Sequence, residues 1–161
     1  MILYTKNGKE ILVDEDFVLP SGVCLTVTSH GYASLVEATG VRTPGGWYKY
    51  KRTYLHRYIT GATGGMQVDH INGDRLDNRS ENLRVCLNEE NSRNKGPNKK
   101  NKSGYKGVYF NKSTGKWIAQ LTVNYKCRHL GTFETAEEAA LAYNKAAKQF
   151  HGEFAFQNEV A

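Results

Sequence analysis

Two neighbouring residues, Asp69 and His70, combine an ionised carboxylate with a base whose ordinary pKa lies near neutrality. An isolated pair of this kind is more often part of a turn, with its side chains bonded to backbone groups. Two later residues, Asn82 and Asn91, add amide oxygens that complement the carboxylate. We therefore treat these four residues as one candidate site for acid–base chemistry assisted by oxygen ligands.

The elements that would position this site are two short strands and a helix. QVDHI has the character of a strand that ends at the turn Asn72-Gly73-Asp74, ENLRVC is the next strand-like run, and NEENSRN has the composition of a short helix. A strand, a turn, a second strand and a helix bring the two ends of this polar segment together. The pattern predicts that Asn91 lies near Asp69.

The first 60 residues carry strand patterns in EILVDEDFVL, CLTV, YASLV and WYKYKRTYLH, whereas ATGVRTPGG has the Gly and Pro content of a loop. YLHRYITGA also fits the start of a short helix with His56 and Ile59 on one side, so this boundary stays open. The cysteines Cys24, Cys86 and Cys127 are odd in number, far apart and never in a C-x-x-C pair, so the sequence supports neither a disulfide framework nor a cysteine zinc site. They are predicted to be reduced and buried.

The C-terminal third follows a basic linker, SRNKGPNKKNKSG, which lacks large apolar residues and is predicted to be extended. Three strand-like runs, YKGVYF, KWIAQLTV and CRHLGTF, come next, followed by a helix in ETAEEAALAYNKAAKQF. Thr135 and Glu138 fit a capping box for that helix. Its predicted apolar stripe consists of Ala136, Ala139, Ala140, Tyr143, Ala147 and Phe150.

Positive charge is concentrated toward the C-terminus. Residues 1–50 carry 4 basic and 5 acidic groups, whereas residues 91–130 carry ten Lys or Arg and no Asp or Glu. Such a field attracts polyanions and releases counterions from phosphates, which indicates a nucleic-acid partner more strongly than a solubilising surface. Without a signal peptide or a long apolar run, the chain of 161 residues is expected in a cytoplasm.

His56, Asp69-His70, INGDRLDNRSENLR and the following E-x-N resemble phage-type HNH homing endonucleases over roughly residues 12–94. The resemblance implies two antiparallel strands and a helix around one divalent cation, the ββα-metal fold. It implies that Asp69 and Asn91 are the metal ligands and that His70 is the general base. Asn82, grouped with His70 as catalytic, would be the hairpin asparagine that holds the base-bearing loop.

Phosphodiester hydrolysis agrees with these roles, because it needs a deprotonated water and a cation that accepts developing negative charge. Asn91 stands where the named motif has its last histidine. A carboxylate and an amide oxygen suit Mg or Mn better than zinc. Phosphates near the metal are expected to contact Arg75, Arg79 and Arg84, and His56 is expected to pack or contact phosphate.

Residues 105–158 resemble the Apetala/ERF-type DNA-binding domain of plants through YKGV, GKWIAQL, HLGTF and TAEEAALAYNKAA. The resemblance implies a three-stranded antiparallel sheet backed by one helix, with the exposed sheet face in the major groove. The residues implied on this DNA face are Lys106, Tyr109, Asn111, Gln120, Thr122 and His129. Phosphate contacts are predicted for Lys112, Lys116, Lys126 and Arg128. The basic residues of the linker region are also predicted to bind DNA: Arg93, Lys95, Lys99, Lys100 and Lys102.

This chain departs from the plant domains at the base-reading positions. The plant domains carry arginine and tryptophan where Tyr109, Asn111, Thr122 and His129 stand here, so their target sequence cannot be transferred. Gln120 is a candidate for a bidentate pair with adenine. Trp117 either stacks on DNA or is buried under the helix.

The sequence thus predicts an α+β protein with a strand-rich region (1–53), an HNH core (54–94), a basic linker (95–104) and an Apetala/ERF-type domain (105–158). The predicted function is that of a metal-dependent DNA endonuclease, nicking or cutting both strands and serving phage homing. The predicted partner is double-stranded DNA, bound by a monomer. Two alternatives remain: a DNA-binding regulator on a silent nuclease fold, and an RNA-binding module.

Overall fold

The computed structural model of the chain describes residues 1–160, which form two compact units, residues 1–88 and residues 89 onward. Within the described residues there are ten β-strands in four small antiparallel sheets, together with three α-helices. The predicted α+β class is confirmed. Among these residues, no helix is long and apolar enough to cross a membrane.

The first unit consists of two hairpins, a three-stranded sheet and one short helix. Its elements are β1 (Ile2–Tyr4), β2 (Glu10–Leu12), β3 (Val23–Val27), β4 (Ala33–Arg42), β5 (Tyr48–Tyr54), α1 (Leu55–Thr60), β6 (Gln67–His70) and β7 (Leu83–Cys86). Strands β1 and β2 pair, β3, β4 and β5 form the sheet, and β6 pairs with β7. The core between them is formed by Ile11, Val13, Leu25, Ala33, Leu35 and Leu55.

Strand β2 docks the long loop that follows β6. The Leu12 amide donates to the Leu76 carbonyl at 2.9 Å, and the Asn78 amide donates to the Leu12 carbonyl at 2.8 Å. The Asp14 carboxylate accepts from the Ser80 hydroxyl at 2.5 Å and from its amide. Strand β2 and the turn at Asp14 are therefore part of the scaffold of the β6–β7 hairpin.

Two strand boundaries in this unit differ from the prediction. The strand predicted to run from Glu10 to residue 19 ends at Leu12, because the chain turns at Asp14. The segment 38–46, predicted as a loop, is strand as far as Arg42. The ladder shifts register between Ala38 and Arg42, and this irregularity accommodates Gly40 at a φ of +73°. The helical alternative after Tyr54 is confirmed by α1.

The second unit contains a three-stranded sheet covered on one side by a helix. Its elements are α2 (Asn88–Asn94, which begins one residue before the unit), β8 (Val108–Asn111), β9 (Lys116–Val123), β10 (Lys126–Phe133) and α3 (Ala136–His151). The predicted capping box is confirmed, since Thr135 accepts from the Glu138 amide and Glu138 accepts from the Thr135 amide.

The predicted stripe of α3 is confirmed for its alanines and Tyr143, which are buried against β9, but not for Phe150. Phe150 is 39% exposed, with the Arg128 guanidinium of β10 4.8 Å from its ring centre. Cys86 is buried, whereas Cys24 and Cys127 are exposed, contrary to the prediction. Their strands present these two positions to the outer faces of the sheets.

The linker is not uniformly extended, since its second half forms hydrogen-bonded turns. The Asn101 amide donates to the Asn98 carbonyl at 2.8 Å, and the Asn101 side chain donates to the Tyr105 carbonyl at 2.7 Å. Ser103 also donates to the Val108 carbonyl. These polar side chains tie the linker to β8, an effect that composition alone did not reveal.

Candidate active site

The β6–β7 hairpin carries the first two candidate residues at the end of its first strand. In the antiparallel ladder Asp69 lies opposite Arg84, and His70 lies opposite Leu83. Both candidates are buried, with exposed fractions of 6% for Asp69 and 5% for His70. Two adjacent ionisable side chains are rarely both buried unless other groups compensate them, so their partners determine what they can do.

The Asn82 side chain closes the loop between the two strands. Its Oδ1 accepts from the Asn72 amide at 3.0 Å, and its Nδ2 donates to the Asp77 carbonyl at 2.8 Å. The buried Asp77 carboxylate in turn accepts from the Asn72 side chain at 2.9 Å. The many short polar residues of this segment thus satisfy backbone groups of a loop that has almost no apolar core.

Asp69 forms a short ion pair across the hairpin. The Arg84 Nη2 lies 2.6 Å from Asp69 Oδ2, and the side chains are only 11% and 8% exposed. Charge-assisted bonds of this length are strong in a poorly solvated site. The pair fixes the position of the carboxylate and compensates its charge.

The His70 ring lies among aromatic rings on the other side of the strand. Its centre is 5.2 Å from that of His56, in an edge contact, and 6.0 Å from that of Tyr32. Burial lowers the pKa of His70 below 6.5, although Asn78 and the carboxylates of Asp69, Asp74 and Asp77 act in the opposite direction. The imidazole is therefore neutral near pH 7 and can accept a proton.

His56 belongs to the same cluster and is a packing residue. Tyr54 stacks on its ring at 5.5 Å, and the Tyr32 ring lies 5.4 Å away. Burial, followed by the charges of His70 and Arg57, lowers the pKa of His56 from 6.5 to about 4. These contacts support the packing alternative for His56.

We expect the protein to lose stability in mild acid because of His56. In the unfolded chain His56 binds a proton near pH 6.5, whereas in the folded chain it stays neutral until the pH falls to about 4. The free energy of unfolding should therefore fall by on the order of 2 kcal/mol across that window, after allowance for solvent screening. Urea denaturation at neutral pH and near pH 5 measures this, and His56→Phe should show a smaller loss than His30→Phe, which changes an exposed histidine.

The three arginines predicted to hold phosphates already have partners in the first unit. Arg79 forms two 2.8 Å bonds with Asp77 and a 2.6 Å ion pair with Glu81. Arg75 donates to the His30 carbonyl at 2.6 Å and lies over the Tyr32 ring at 4.6 Å. Together with the Arg84–Asp69 pair, these contacts make the arginines part of the loop framework, and phosphate contact by them stays a prediction.

A divalent cation was expected between Asp69 and Asn91. The described residues contain no group of three or more His, Cys, Asp or Glu side chains able to hold a metal. Asn91 lies on α2, in the second unit. Asp69 fits a hard cation in chemical type, because a carboxylate has two oxygens and can keep one ion pair while binding a metal. Nitrogen and sulfur ligands, which zinc prefers, are not part of this donor set.

Sequence patterns did not identify the residues that surround His70. Tyr32 and Tyr54 come from β4 and β5 or their edges, far from His70 in sequence, and no local spacing marks them. Asn78, which is fully buried, stands in the motif INGDRLDNRSENLR, but the motif alone assigns it no role. Its place beside Asp77, in a run with few apolar residues, was the one available signal.

The exposed face of the second unit's sheet collects five of the six predicted base-reading residues. Strand alternation directs Ala119 and Leu121 toward α3, which leaves their neighbours on β9 facing away from the helix. Cross-strand pairs then extend this outer face to β8 and β10, since His129 lies opposite Gln120 and Tyr109 opposite Ile118. The residues on this face include Tyr109, Asn111, Gln120, Thr122 and His129.

The predicted phosphate-binding residues of the sheet are distributed differently. Lys112 and Lys126 are exposed. Lys116 is paired with Glu134 at 2.6 Å, and Arg128 stacks on Phe150 on the helix side. Trp117 is half-buried and packs edge-on against Phe110 with ring centres 5.1 Å apart, which favours its packing alternative.

The linker lysines share a groove with the outer sheet. Lys100, Lys102 and Lys112 line it together with Tyr109 and Gln120. Lys95 and Lys99 are exposed, and Arg93 is half-buried on α2. A groove with basic walls and an aromatic floor suits a nucleic-acid backbone, although contact by each residue stays a prediction.

Lys106, predicted on the DNA face, instead caps the end of α2. Its Nζ donates to the carbonyls of Arg93 at 2.7 Å and Lys95 at 2.5 Å, with a longer contact of 3.4 Å to Ser92. Burial, and then the charge of Lys95, lowers the pKa of Lys106 to about 8. The ammonium group is thus mostly charged at neutral pH and is committed to backbone carbonyls.

Replacing Lys106 by methionine should destabilise the second unit by about 1–2 kcal/mol, because charged hydrogen bonds at a helix C-terminus are lost while the aliphatic packing remains. Urea denaturation measures the loss, and amide hydrogen exchange should show that α2 opens more readily. Lys102→Met, at an exposed lysine nearby, is the matched control. Equal stability of the two variants would contradict the capping role.

Two family models match the chain. An HNH endonuclease model matches residues 54–93, and an AP2 domain model matches residues 103–153. Both resemblances inferred from the motifs are confirmed. The HNH match contains α1, the β6–β7 hairpin and most of α2, and the AP2 match contains the sheet and helix of the second unit.

Several curated proteins are similar to the chain, although no solved structure gives a significant match. A dehydration-responsive element-binding protein of Oryza sativa subsp. japonica is 46% identical over 56 residues, which is 34% of this chain and 17% of that protein. An uncharacterized HNH endonuclease of Acanthamoeba polyphaga mimivirus is 28% identical over 167 residues, covering 91% of this chain and 87% of the relative. Protein 3.8 of Escherichia phage T7 is 34% identical over 113 residues, covering 68% of this chain and 92% of the relative. The chain therefore belongs to the family of phage T7 protein 3.8, and it joins an HNH endonuclease domain to an AP2 domain.

Proposed function

We propose that this protein is a metal-dependent endonuclease that hydrolyses phosphodiester bonds of duplex DNA. The observation that carries the proposal is the buried, neutral His70 at the end of the HNH hairpin, adjacent in sequence to the ion-paired Asp69. A neutral imidazole with a lowered pKa is a suitable general base for water at neutral pH. Asn82 supports it by holding the loop that follows.

The roles of the individual side chains follow from their surroundings. His70 accepts a proton from water, and the Tyr32 and His56 rings hold its plane and exclude bulk solvent. Asp69 is the proposed carboxylate ligand, and Asn91 is the second ligand that the resemblance implies. The cation, Mg or Mn, supplies charge stabilisation at the phosphate when bound.

The AP2 domain is proposed to bring the nuclease to its target through the outer sheet face. Tyr109 and Gln120 on that face border the basic groove, which gives a surface able to contact both bases and phosphates. A homing role in an infected bacterial cell is part of the proposal, and the similarity to a protein of phage T7 supports its phage setting. The domain limits proposed for this division of labour are 54–94 for the nuclease core and 105–158 for the targeting domain.

Incubation of the full-length protein with supercoiled plasmid tests the proposal. We expect nicked or linear DNA with Mg or Mn, complete inhibition by a chelator, and recovery when either metal is returned in excess. A carboxylate-based site should respond more weakly to zinc. Absence of cleavage with every divalent metal, from a protein that still binds the plasmid, would contradict the proposal.

One contact favours the alternative of a DNA-binding regulator without nuclease activity. The Arg84 guanidinium already neutralises Asp69 at 2.6 Å, as a cation would. Under this alternative the protein binds duplex DNA but never cleaves it. Arg84→Gln separates the two possibilities, because cleavage that appears only in this variant would identify Arg84 as a block, whereas cleavage by the unmodified protein excludes the regulator.

A further inference from the structure

The β4–β5 hairpin extends far beyond the sheet that supports its base. Strand β3 pairs with β4 only over residues 33–37, so residues 38–50 form a two-stranded arm without a third strand. We call this arm, together with Lys51 and Arg52 at its base, the ribbon. All but one of the residues from 38 to 52 are exposed, the exception being the half-buried Thr43 in the turn. Isolated two-stranded ribbons are marginally stable in water, and such a long one calls for a binding partner.

The ribbon carries aromatic side chains that are largely exposed to solvent. Trp47 at the tip is 79% exposed, Tyr50 is 65% exposed and Tyr48 is 47% exposed. Three large aromatic side chains on one small element exceed the scattered apolar exposure of an ordinary surface. Aromatic side chains beside basic ones are typical of surfaces that contact nucleic acid.

Charge on and around the ribbon has one sign. Arg42, Lys49, Lys51 and Arg52 are basic, and no acidic residue occurs between Glu37 and Asp69. The one acidic residue at its base, Glu37, lies directly opposite Lys51 in the ladder. A partner that binds the ribbon is therefore expected to be a polyanion.

Strand register divides the ribbon into two faces. Tyr48 pairs with Arg42, Tyr50 with Ala38 and Arg52 with Val36, so these residues share one face, while Lys49 and Lys51 lie on the other. Arg42 donates to the Tyr48 hydroxyl at 2.8 Å and covers its ring. The face of Tyr48, Tyr50 and Arg52 is the tyrosine face, and Glu37 is on the opposite one.

The tyrosine face leads to the candidate active site. Tyr54 continues the alternation of Tyr48, Tyr50 and Arg52, and its ring stacks on His56, which contacts His70. Four alternate residues of a strand span about 20 Å, the length of about six base pairs. A duplex that presents a phosphate to His70 can therefore follow this face without leaving the first unit.

We propose that the ribbon is a DNA-binding element separate from the AP2 domain, which lays its tyrosine face along a groove of duplex DNA beside the candidate active site. The major groove admits a two-stranded ribbon, and the ribbon's Arg52 and its tyrosine rings can contact phosphates and base edges there. The inference rests on the proposed function: the ribbon's charge indicates a polyanion, and the proposed DNA substrate at His70 is the reason to identify that polyanion as duplex DNA. Residues 38–52 lie outside both matched family models.

Anisotropy titrations of full-length protein carrying His70→Ala test the ribbon without cleavage, using a labelled mixed-sequence DNA duplex several turns long. Tyr50→Ala should weaken binding about tenfold, because an aromatic contact is lost. Arg52→Gln should weaken it about fivefold and reduce the slope of log affinity against log salt by about 1. The matched controls are Lys51→Gln, with the same charge change on the opposite face, and Tyr4→Ala, an exposed tyrosine on β1; both should stay within about twofold.

The ribbon proposal is overturned if Tyr50→Ala and Arg52→Gln bind as tightly as their controls, or if Lys51→Gln matches Arg52→Gln in both affinity and salt slope. A photocrosslinking residue at position 50 identifies the occupant. Crosslinks to the DNA duplex support the proposal, whereas preferred crosslinks to duplex RNA, to phosphatidylserine vesicles or to a second protein copy overturn it. Plasmid cleavage by the unmodified protein is scored separately, so that failure of the nuclease proposal is distinguished from failure of the ribbon.

Discussion

His70→Ala should reduce the rate of plasmid cleavage by about 10²–10⁴-fold while leaving duplex binding nearly unchanged. The substitution removes the imidazole that accepts a proton from water, but it removes no positive charge at neutral pH, because burial keeps His70 neutral. Single-turnover cleavage under saturating protein measures the chemical step without interference from binding. An intermediate effect is expected for His70→Asn, which keeps polarity but is not a base at that pH.

The control for this prediction is His30→Ala, which removes an exposed histidine side chain from the same unit. Arg75 contacts only the carbonyl of His30, so that bond survives the change. Urea denaturation of both variants identifies any loss caused by the space left beside Tyr32 and His56. A folded His70→Ala protein that cleaves at the rate of the unmodified protein would eliminate His70 as the base.

Gly107→Ala should destabilise the AP2 domain by about 3–5 kcal/mol, a large part of a small domain's stability. Gly107 has a φ of +76°, and a Cβ there would overlap the Tyr143 ring and lie 2.5 Å from the Gln120 carbonyl oxygen. Tyr143 is buried and cannot move away, so overpacking adds to the backbone strain of the left-handed conformation. Calorimetry should show earlier melting of this domain, with loss of duplex binding above the new midpoint.

Gly104→Ala provides the matched comparison, because Gly104 has nearly the same φ, +77°, but no atom lies within 4 Å of the place that an alanine Cβ would take. Gly104→Ala should lower the domain's free energy of unfolding by only about 1–2 kcal/mol, because backbone strain is its one destabilising effect. The difference between the two variants isolates the close approach of the Gly107 backbone to Tyr143 on α3 and to the Gln120 carbonyl on β9. Equal melting of Gly104→Ala and Gly107→Ala would contradict that packing.

Patterns that are local in sequence predicted their structures well. The Thr135–Glu138 capping box, the strand that ends at Asp69-His70 and the alternation of β9 depend on neighbours within a few residues. Local propensity and periodicity therefore agree with the final fold at these elements. The same agreement explains why the two family resemblances were visible in short motifs.

Features that depend on distant residues could not be predicted in this way. Tyr32, which stands immediately before β4 and almost forty residues before His70, contacts the His70 ring, and Arg84 meets Asp69 only because the ladder sets that register. Lys106 is a basic residue at a position that the resemblance places on the DNA face, yet its ammonium group donates to a carbonyl of α2. Sequence identifies which groups are available, whereas long-range packing decides which of them pair.

The alternation of residue types in the ribbon did not predict how exposed the ribbon would be. The alternation of Tyr48, Lys49, Tyr50 and Lys51 predicted a strand correctly, but a half-buried strand was the ordinary meaning of such a pattern. The missing third strand beyond Glu37 leaves these side chains exposed instead. Whether a strand is covered is a property of the sheet, so no window of the sequence contains it.

The capping of α2 by Lys106 constrains how this protein can exchange its parts with others during evolution. By composition, the basic segment 95–104 looks like the natural boundary for recombination. A crossover there would separate α2, which bears Asn91, from the Lys106 ammonium group that caps its C-terminal end. A crossover before Asn88 would transfer helix, cap and AP2 domain as one inherited block. Chimeras that gain a new DNA specificity are therefore expected to carry both Asn91 and Lys106 from the same parent.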